Sequence, residues 1–259
     1  MILLGDIGNT ETKICLVSLN KKIIKKITFS SKNITNNKLK KNFKKNISEF
    51  FKKNIIFNLK SNEKICLISS VVPEVNKIIF FLLKKYSFKI KNININNIPK
   101  KIKFKYSKNQ LGADRIANSF SGVNKYGSNL MIIDFGTATT FDVIKNNIYI
   151  GGTIAPGILV SHESLIKKAS KLNKISIKKT SSVVGINTEQ SMRSGFYWGY
   201  VSLINGIIKK IIKEKKYKPK IILTGGLAQI YKKEIKFKSY YEPNLTLEGL
   251  YLIGLQNHD

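Results

Sequence analysis

Two distant segments of the chain follow the same order of residue types, and this repetition constrains the fold more than any other feature. The segments are ILLGDIGNTETKICLV at residues 2–17 and LMIIDFGTATTFDVI at residues 130–144. Each reads as an apolar strand ending in Asp, then one residue, Gly, a turn with hydroxyl groups and a second strand. The repetition predicts two related domains facing one another, which we place at residues 1–118 and 119–259.

The rest of the hydrophobic pattern predicts an α/β protein. Buried strands are expected at 64–70 and 220–224, and helices at 38–54, 73–86, 157–170, 188–213 and from about Leu247. Strands that alternate with helices indicate sheets with flanking helices. His162, in the segment LVSHESLIKK, is expected on the surface of its helix. Cys15 and Cys66 lie in apolar runs without partners at metal-ligand spacing, so we expect buried, reduced thiols.

The formal net charge of +31 suggests nucleic-acid binding at first sight. However, only two of the 46 basic residues are arginines, Arg115 and Arg193, and nucleic-acid surfaces usually use arginine for its bidentate fork. A solvated surface enriched in lysine by compositional drift is therefore favoured over a specific nucleic-acid site. No stretch reaches the ~18 uncharged apolar residues that span a bilayer. The start lacks a cationic signal-peptide region, so we expect a cytoplasmic protein.

The first Asp-Xaa-Gly loop carries groups suited to a phosphate. Asp6 at the end of a strand can hold a metal ion, and Gly8 lets backbone N–H groups approach a phosphate. Asn9 and Thr10 add neutral donors, and Lys13 adds a positive charge. By itself this motif is equally typical of a plain hairpin turn.

The second loop, residues 134–140, strengthens the phosphate interpretation, because two such loops can clamp a polyphosphate from both sides. The chain contains neither GxxxxGK[ST] nor a GxGxxG motif after a strand. Thr224-Gly225-Gly226 could receive the adenosine half of a nucleotide, although a plain helix-entry turn fits equally well. Two further glycine-rich segments, residues 151–157 and 187–195, are more often structural when taken singly.

The segment Gly112-Ala113-Asp114-Arg115 places an acid and a rare arginine at a predicted helix start. Asp114 could accept a proton from a substrate hydroxyl group, and Arg115 could hold a carboxylate or a phosphoryl group. The alternative is a helix N-terminal carboxylate with a salt-bridging neighbour.

Taken in order, DxGNT, GADR, DxGTAxT, GGxIxPG, NTxxSMxSG and TGG resemble the type III pantothenate kinases, a branch of the actin-like superfamily. The resemblance extends from Asp6 to the terminal LTLEGLYLIGL. It implies two actin-like (ribonuclease H-like) domains, each a mixed sheet with flanking helices, and a nucleotide cleft between them. It also implies ATP-dependent phosphorylation of pantothenate to 4′-phosphopantothenate, the first step of coenzyme A biosynthesis.

The resemblance assigns roles to individual residues. It implies that Asp6 through Lys13 bind the ATP phosphates and Mg²⁺, with Asp6 at the metal ion, and that Thr137 contacts the nucleotide. Gly112 through Arg115 are implied to contact pantothenate, with Asp114 as the catalytic base. Asp134 is implied to hold a monovalent cation, K⁺ or NH₄⁺.

The same resemblance implies a homodimer in which Thr188 reaches the pantothenate of the neighbouring subunit. Family members also carry a substrate-contacting Tyr in a Y-x-N-P-type segment before GADR. Tyr106 is the counterpart here, but its segment lacks the proline and is shorter by one residue.

Two alternatives come from other functional classes. A different actin-like kinase, acting on a sugar or a carboxylate, would use the same phosphate loops. A non-catalytic regulator or nucleic-acid-binding protein on this fold would use the positive surface and could dispense with Asp114 and Asp134. Both carboxylates are present, which argues against the regulator.

Overall fold

The structure is a computed structural model that describes residues 2–18, 20, 22–36, 39–53, 64–107, 110–169 and 171–256. Two compact units divide the chain. The first unit comprises Met1–Asn124 together with Leu245–Asp259, and the second unit comprises Lys125–Asn244.

The elements alternate between strands and helices along most of the chain. The strands are β1 (Ile2–Ile7), β2 (Glu11–Val17), β3 (Ile23–Ser30), β4 (Ile65–Ser70), β5 (Lys89–Asn92), β6 (Lys103–Phe104), β7 (Leu130–Phe135), β8 (Ala138–Lys145), β9 (Ile148–Pro156), β10 (Lys220–Thr224) and β11 (Ser239–Tyr241). The α-helices are α1 (Ser31–Thr35), α2 (Lys40–Lys53), α3 (Pro73–Lys85), α4 (Ala113–Tyr126), α5 (Ile158–Lys168), α6 (Thr188–Lys215), α7 (Ala228–Tyr231) and α8 (Leu245–Gln256). Short 3-10 helices lie at Ile95–Asn97 and Lys232–Glu234.

The first unit is built on a five-stranded mixed sheet in the order β3-β2-β1-β4-β5. Strands β1, β2 and β3 are antiparallel neighbours, whereas β1 pairs in parallel with β4, and β4 with β5. One face of β1, including Leu3 and Ile7, packs in an apolar core with residues of α1, α2 and α3. Asp6 alternates with these residues and therefore points to the opposite face.

The second unit repeats this hairpin inside another mixed sheet, in which β11, β10, β7, β8 and β9 are successive neighbours. Strands β7 and β8 are antiparallel, and β10 pairs in parallel with β7. The core contains alternate residues of β7, Met131, Ile133 and Phe135, packed with apolar residues of α6. The predicted α/β class with two related mixed sheets is thereby confirmed.

The predicted division at residue 118 falls inside α4, which continues to Tyr126. Asn118, Ser119 and Ser121 are polar, yet all three are buried in the helix. The closing helix α8 belongs to the first unit, where Thr246 Oγ1 donates a hydrogen bond to Asn118 Oδ1 at 2.8 Å. The division into compact units does not test the domain ranges 1–118 and 119–259, which stay a prediction.

His162 does not lie on the surface, so the prediction for this residue is wrong. It is only 2% exposed, and its Nε2 accepts a hydrogen bond from Ile175 N at 3.3 Å. The ring also makes an edge-on contact with Phe196. The segment around Ile175 covers this side of α5. The residue pattern of the helix itself does not indicate that another segment packs there.

The two cysteines are buried and free, as expected. Among the described helices, none is long and apolar enough to cross a membrane.

Candidate active site

The Asp-Xaa-Gly loop of the first unit is closed by hydrogen bonds from α1. Gly8 N donates to Glu11 O at 2.9 Å, which tightens the turn between β1 and β2. Ser31 Oγ donates to Gly8 O at 2.6 Å, and Ser31 N donates to Thr10 O at 2.9 Å. Asn9 and Thr10 are exposed at the tip of the turn. Sequence reasoning missed Ser31, because it lies some twenty residues beyond the motif and carries no signature of its own.

Asp6 lies at the end of β1, directly opposite Lys13 in the antiparallel register. Burial raises the pKa of Asp6 to about 6, while the Lys13 ammonium opposes this rise and the Asp114 carboxylate adds to it. Lys13 also forms an ion pair with Glu11 at 3.7 Å. Asp114 is therefore close enough to Asp6 to raise its pKa, although 108 positions separate the two residues in sequence.

The Asp114 carboxylate is held at the start of α4 by its own backbone. Asp114 Oδ1 accepts a hydrogen bond from Arg115 N at 2.8 Å. Burial is the largest influence on Asp114 and raises its pKa, whereas this backbone bond and the Arg115 charge lower it. A Cβ atom at Gly112 would lie 2.5 Å from Asp114 Oδ1, so a larger residue there would require the carboxylate to shift.

Arg115 is 7% exposed, which is unusual for an arginine. Its guanidinium group lies 5.9 Å from the centre of the Tyr106 ring, within the range of a cation–π contact. Ser119 Oγ donates to Arg115 O at 2.7 Å, one turn further along α4. The structure thus brings together Tyr106 and Arg115, two residues for which the resemblance described above implies a contact with substrate.

In the second unit, three glycine-rich motifs meet around the end of β7. Asp134 pairs with Thr140 on β8 and with Thr224 on β10, so the TGG segment lies beside the second Asp-Xaa-Gly loop. Gly157 N donates to Thr137 O at 3.1 Å. A Cβ atom at Gly157 would lie 2.1 Å from Thr137 O, so this close approach requires glycine. Thr137 itself is exposed.

Thr188 is the first residue of α6 and is exposed. Asn187 caps the helix by accepting a hydrogen bond from Gln190 N at 2.9 Å. Arg193 forms an ion pair with Glu189 and donates from Nε to Ser176 O at 3.3 Å. The second arginine therefore ties the first turn of α6 to the preceding segment.

The carboxylates of the first unit fit a magnesium ion that arrives with a nucleotide. Among the described residues, no group of three or more His, Cys, Asp or Glu side chains could hold a metal ion alone. Mg²⁺ bound to nucleotide phosphates needs only one or two protein carboxylates, since phosphate oxygens and water complete its shell. Asp6, with Asp114 nearby, supplies that donor chemistry.

The two mixed sheets, each with an Asp-Xaa-Gly hairpin, give the chain a two-unit α/β fold that several solved structures share. A proposed 2-dehydro-3-deoxygalactonokinase from Sinorhizobium meliloti has a similar fold, with a TM-score of 0.62 at 6% identity and 99% coverage of both chains. A proposed Baf family transcriptional activator from Campylobacter jejuni gives 0.60 at 20% identity, covering 99% of this chain and 98% of the other. These likenesses show the fold alone.

Sequence comparison gives the family. The family model for type III pantothenate kinase matches residues 2–210. A type III pantothenate kinase from Pelagibacter ubique is 44% identical over 96% of this chain and 97% of its own. One from Persephonella marina is 39% identical over 97% of both chains. The chain belongs to the type III pantothenate kinase family, and it is therefore a kinase that uses ATP with a divalent metal ion.

Proposed function

We propose that the protein transfers the γ-phosphoryl group of ATP to the primary hydroxyl group of pantothenate, forming 4′-phosphopantothenate in coenzyme A biosynthesis. Membership of the family supports this reaction. The observation that carries it in the structure is the convergence of Asp6 and Asp114 in the first unit, one at the end of β1 and the other at the start of α4.

Asp114 is proposed as the general base. Its raised pKa moves the carboxylate towards the range in which a base works well near neutral pH, and Gly112 keeps space around it. As the new O–P bond forms, Asp114 takes the proton of the attacking hydroxyl group. Phosphoryl transfer depends mainly on position and charge, so a base of modest strength is sufficient.

Arg115 and Tyr106 are proposed to bind pantothenate, together with the backbone of Gly112 and Ala113. The buried guanidinium group offers two parallel donors to the carboxylate of pantothenate, which a lysine cannot provide. The Tyr106 ring limits the orientation of that group through the contact described above.

The phosphates of ATP are assigned to Gly8, Asn9, Thr10 and Lys13. Asp6 would hold the magnesium ion, which neutralises phosphate charge when it is bound. In the second unit, Thr137 is assigned to the nucleotide and Asp134 to K⁺ or NH₄⁺.

A homodimer, with Thr188 reaching the substrate of its partner, completes the proposal. The exposed position of Thr188 at the start of α6 is compatible with that contact. The cytoplasmic location and the placement of the nucleotide stay predictions.

The experiment that tests the function is ADP release by the purified protein, coupled to a detection enzyme, with a panel of pantothenate, sugars and acetate. We expect release only with pantothenate, and only with Mg²⁺ and either K⁺ or NH₄⁺. Release with a sugar or with acetate in place of pantothenate would identify a different actin-like kinase. Equal rates in Na⁺ and K⁺ would remove the proposed role of Asp134.

A further inference from the structure

The first unit contains a buried hydroxyl group that none of the roles above uses. Ser69 lies near the end of β4 and is 1% exposed. Within the part of the chain that the structure describes, its Oγ has no hydrogen-bond partner. The adjacent Ser70 differs, because its Oγ accepts a hydrogen bond from Val72 N at 3.2 Å. A buried hydroxyl without a partner destabilises the folded protein, and such groups often mark the position of a water molecule or an ion.

Ser69 lies beside Asp6 at the carboxyl end of a parallel strand pair. The register of β1 and β4 aligns the two residues, so their side chains point to the same face of the sheet. Sheets of α/β proteins bind ligands at the carboxyl ends of their parallel strands.

The Asp114 turn lies against the same strand end. A Cβ atom at Gly112 would be 3.5 Å from Val71 Cγ1, and Val71 is only two residues beyond Ser69. Val71 N also donates to Ile7 O at 3.1 Å, which joins the ends of β1 and β4. The unpartnered hydroxyl therefore lies at the edge where both proposed site carboxylates converge.

We propose that Ser69 is a positioning residue for the magnesium ion of the bound nucleotide, through a water molecule of the ion's hydration shell that its hydroxyl group holds beside Asp6. This inference rests on the proposed function. Mg²⁺ gives up water reluctantly and keeps several water ligands in nucleotide sites. Groups that hydrogen-bond to metal ligands orient them, and removing such a group typically weakens metal binding about 10–100-fold.

The test compares Ser69→Ala with Ser121→Ala in the full-length protein. Ser121 is a matched control, because it is also 1% exposed and its Oγ also has no partner among the described residues. It lies on α4 about two turns beyond Asp114 and has no assigned role in the site. The measurement is the MgCl₂ concentration that gives half of the maximal thermal stabilisation by ADP, together with the Tm without ligand.

We expect Ser69→Ala to need roughly tenfold more MgCl₂ than the wild-type protein. Its ligand-free Tm should be unchanged or higher, because the substitution removes a polar group that makes no bond in the ligand-free protein. The ligand-free Tm of Ser121→Ala should likewise be unchanged or higher. Its MgCl₂ requirement should equal that of the wild-type protein.

A Ser69→Ala protein with a wild-type MgCl₂ response would overturn the inference and leave Ser69 as an isolated buried hydroxyl. If Ser69→Ala does not fold, Ser69→Cys replaces it, since the thiol has nearly the same shape and bonds weakly to water. The same shift is expected for Ser69→Cys, and its absence contradicts the proposal. If ADP stabilises even the wild-type protein without any dependence on MgCl₂, this inference is overturned, whereas the proposed function is judged separately by ADP release with pantothenate.

Discussion

The two Asp-Xaa-Gly hairpins have the same backbone pattern but different chemistry around their carboxylates. In the first unit, Asp6 lies opposite the ammonium group of Lys13, and a serine side chain from α1 closes the loop. In the second unit, Asp134 lies opposite the neutral Thr140, and the backbone of Gly157 closes the loop. The residue opposite the repeated Asp is therefore a charged lysine in the first hairpin and a neutral threonine in the second.

This difference matches the ions that we assign to each hairpin. A hairpin with a lysine suits phosphate groups and a divalent ion that arrives with them. A carboxylate that lies opposite threonines on both neighbouring strands suits a weakly bound monovalent cation. The following predictions test the contrast, beginning with the largest expected effect.

The proposed general base, Asp114, lies in the first unit, so Asp114→Asn should have the largest effect. The amide keeps the size of the carboxylate but cannot take a proton at neutral pH. We expect kcat to fall about 10²–10³-fold, since general bases typically contribute 10²–10⁴ and phosphoryl transfer depends mainly on position. The measurement is kcat by ADP release, alongside pantothenate affinity by calorimetry, which should change little. An unchanged kcat, or an unfolded protein, would support the alternative that Asp114 only starts the helix.

The second hairpin depends on close backbone packing, so Gly157→Ala should destabilise the protein. The new Cβ atom would lie 2.1 Å from Thr137 O, and the loop that carries Thr137 must move to relieve this contact. We expect a loss of roughly 2–4 kcal/mol, in the range of strongly destabilising substitutions. Urea denaturation measures this loss. Gly195→Ala is the matched control, because its Cβ atom meets nothing within 4 Å, and it should be nearly neutral or slightly stabilising. Equal stability of the two variants would contradict the packing argument.

The first unit also uses an arginine where nearly every other basic residue is lysine. Arg115→Lys should therefore impair binding even though it keeps the charge, because one ammonium group cannot make two parallel hydrogen bonds. We expect kcat/KM for pantothenate to fall roughly tenfold, which corresponds to about 1.4 kcal/mol. The KM for ATP serves as the internal control and should not change. A value of kcat/KM within about twofold of wild type would show that Arg115 acts only as a charge.

The smallest effect concerns the free energy of unfolding and Asp6. The pKa of Asp6 is raised to about 6 in the folded protein from a model-compound value of 3.8, so the ionised form is disfavoured by folding. Wild-type stability should therefore fall as the pH rises from about 4 through 6, and the cost persists above pH 6. We expect Asp6→Asn to stabilise the ligand-free protein by roughly 1 kcal/mol at pH 8, because partial exposure reduces the full effect of such a shift.

At pH 4, Asp6 is neutral in the folded protein and only partly ionised in the unfolded chain, because this pH lies close to the model-compound pKa of 3.8, so most of this gain should be lost. Denaturation curves at both pH values, with the same salt concentration, measure the difference. ADP with MgCl₂ should also no longer stabilise the Asp6→Asn protein. This second measurement distinguishes the loss of metal binding from the effect of the substitution on folding. A stabilisation that is equal at pH 4 and pH 8 would show that the Asp6 charge is not its cause.

The sequence by itself determined the elements and the motifs that they carry. The bounds predicted for β10 match the structure, and those for α3 and α6 differ by only one or two residues. These successes have a local cause, since hydrophobic periodicity and glycine turns depend on residues close together in the chain. The positions of Asp6 and Asp134 at strand ends follow from the same local rules.

Only the tertiary structure decided which distant side chains meet. It placed Ser31 on the first loop, Tyr106 against the buried Arg115 and Ser69 beside Asp6. It also buried His162 under a later segment and assigned α8 to the first unit. Each of these depends on contacts between residues far apart in sequence, and a single chain carries no local pattern that reports which surfaces will cover one another. Hydrophobic periodicity shows which face of a helix or strand is buried. Which other elements pack on that face depends on the tertiary packing of the whole unit.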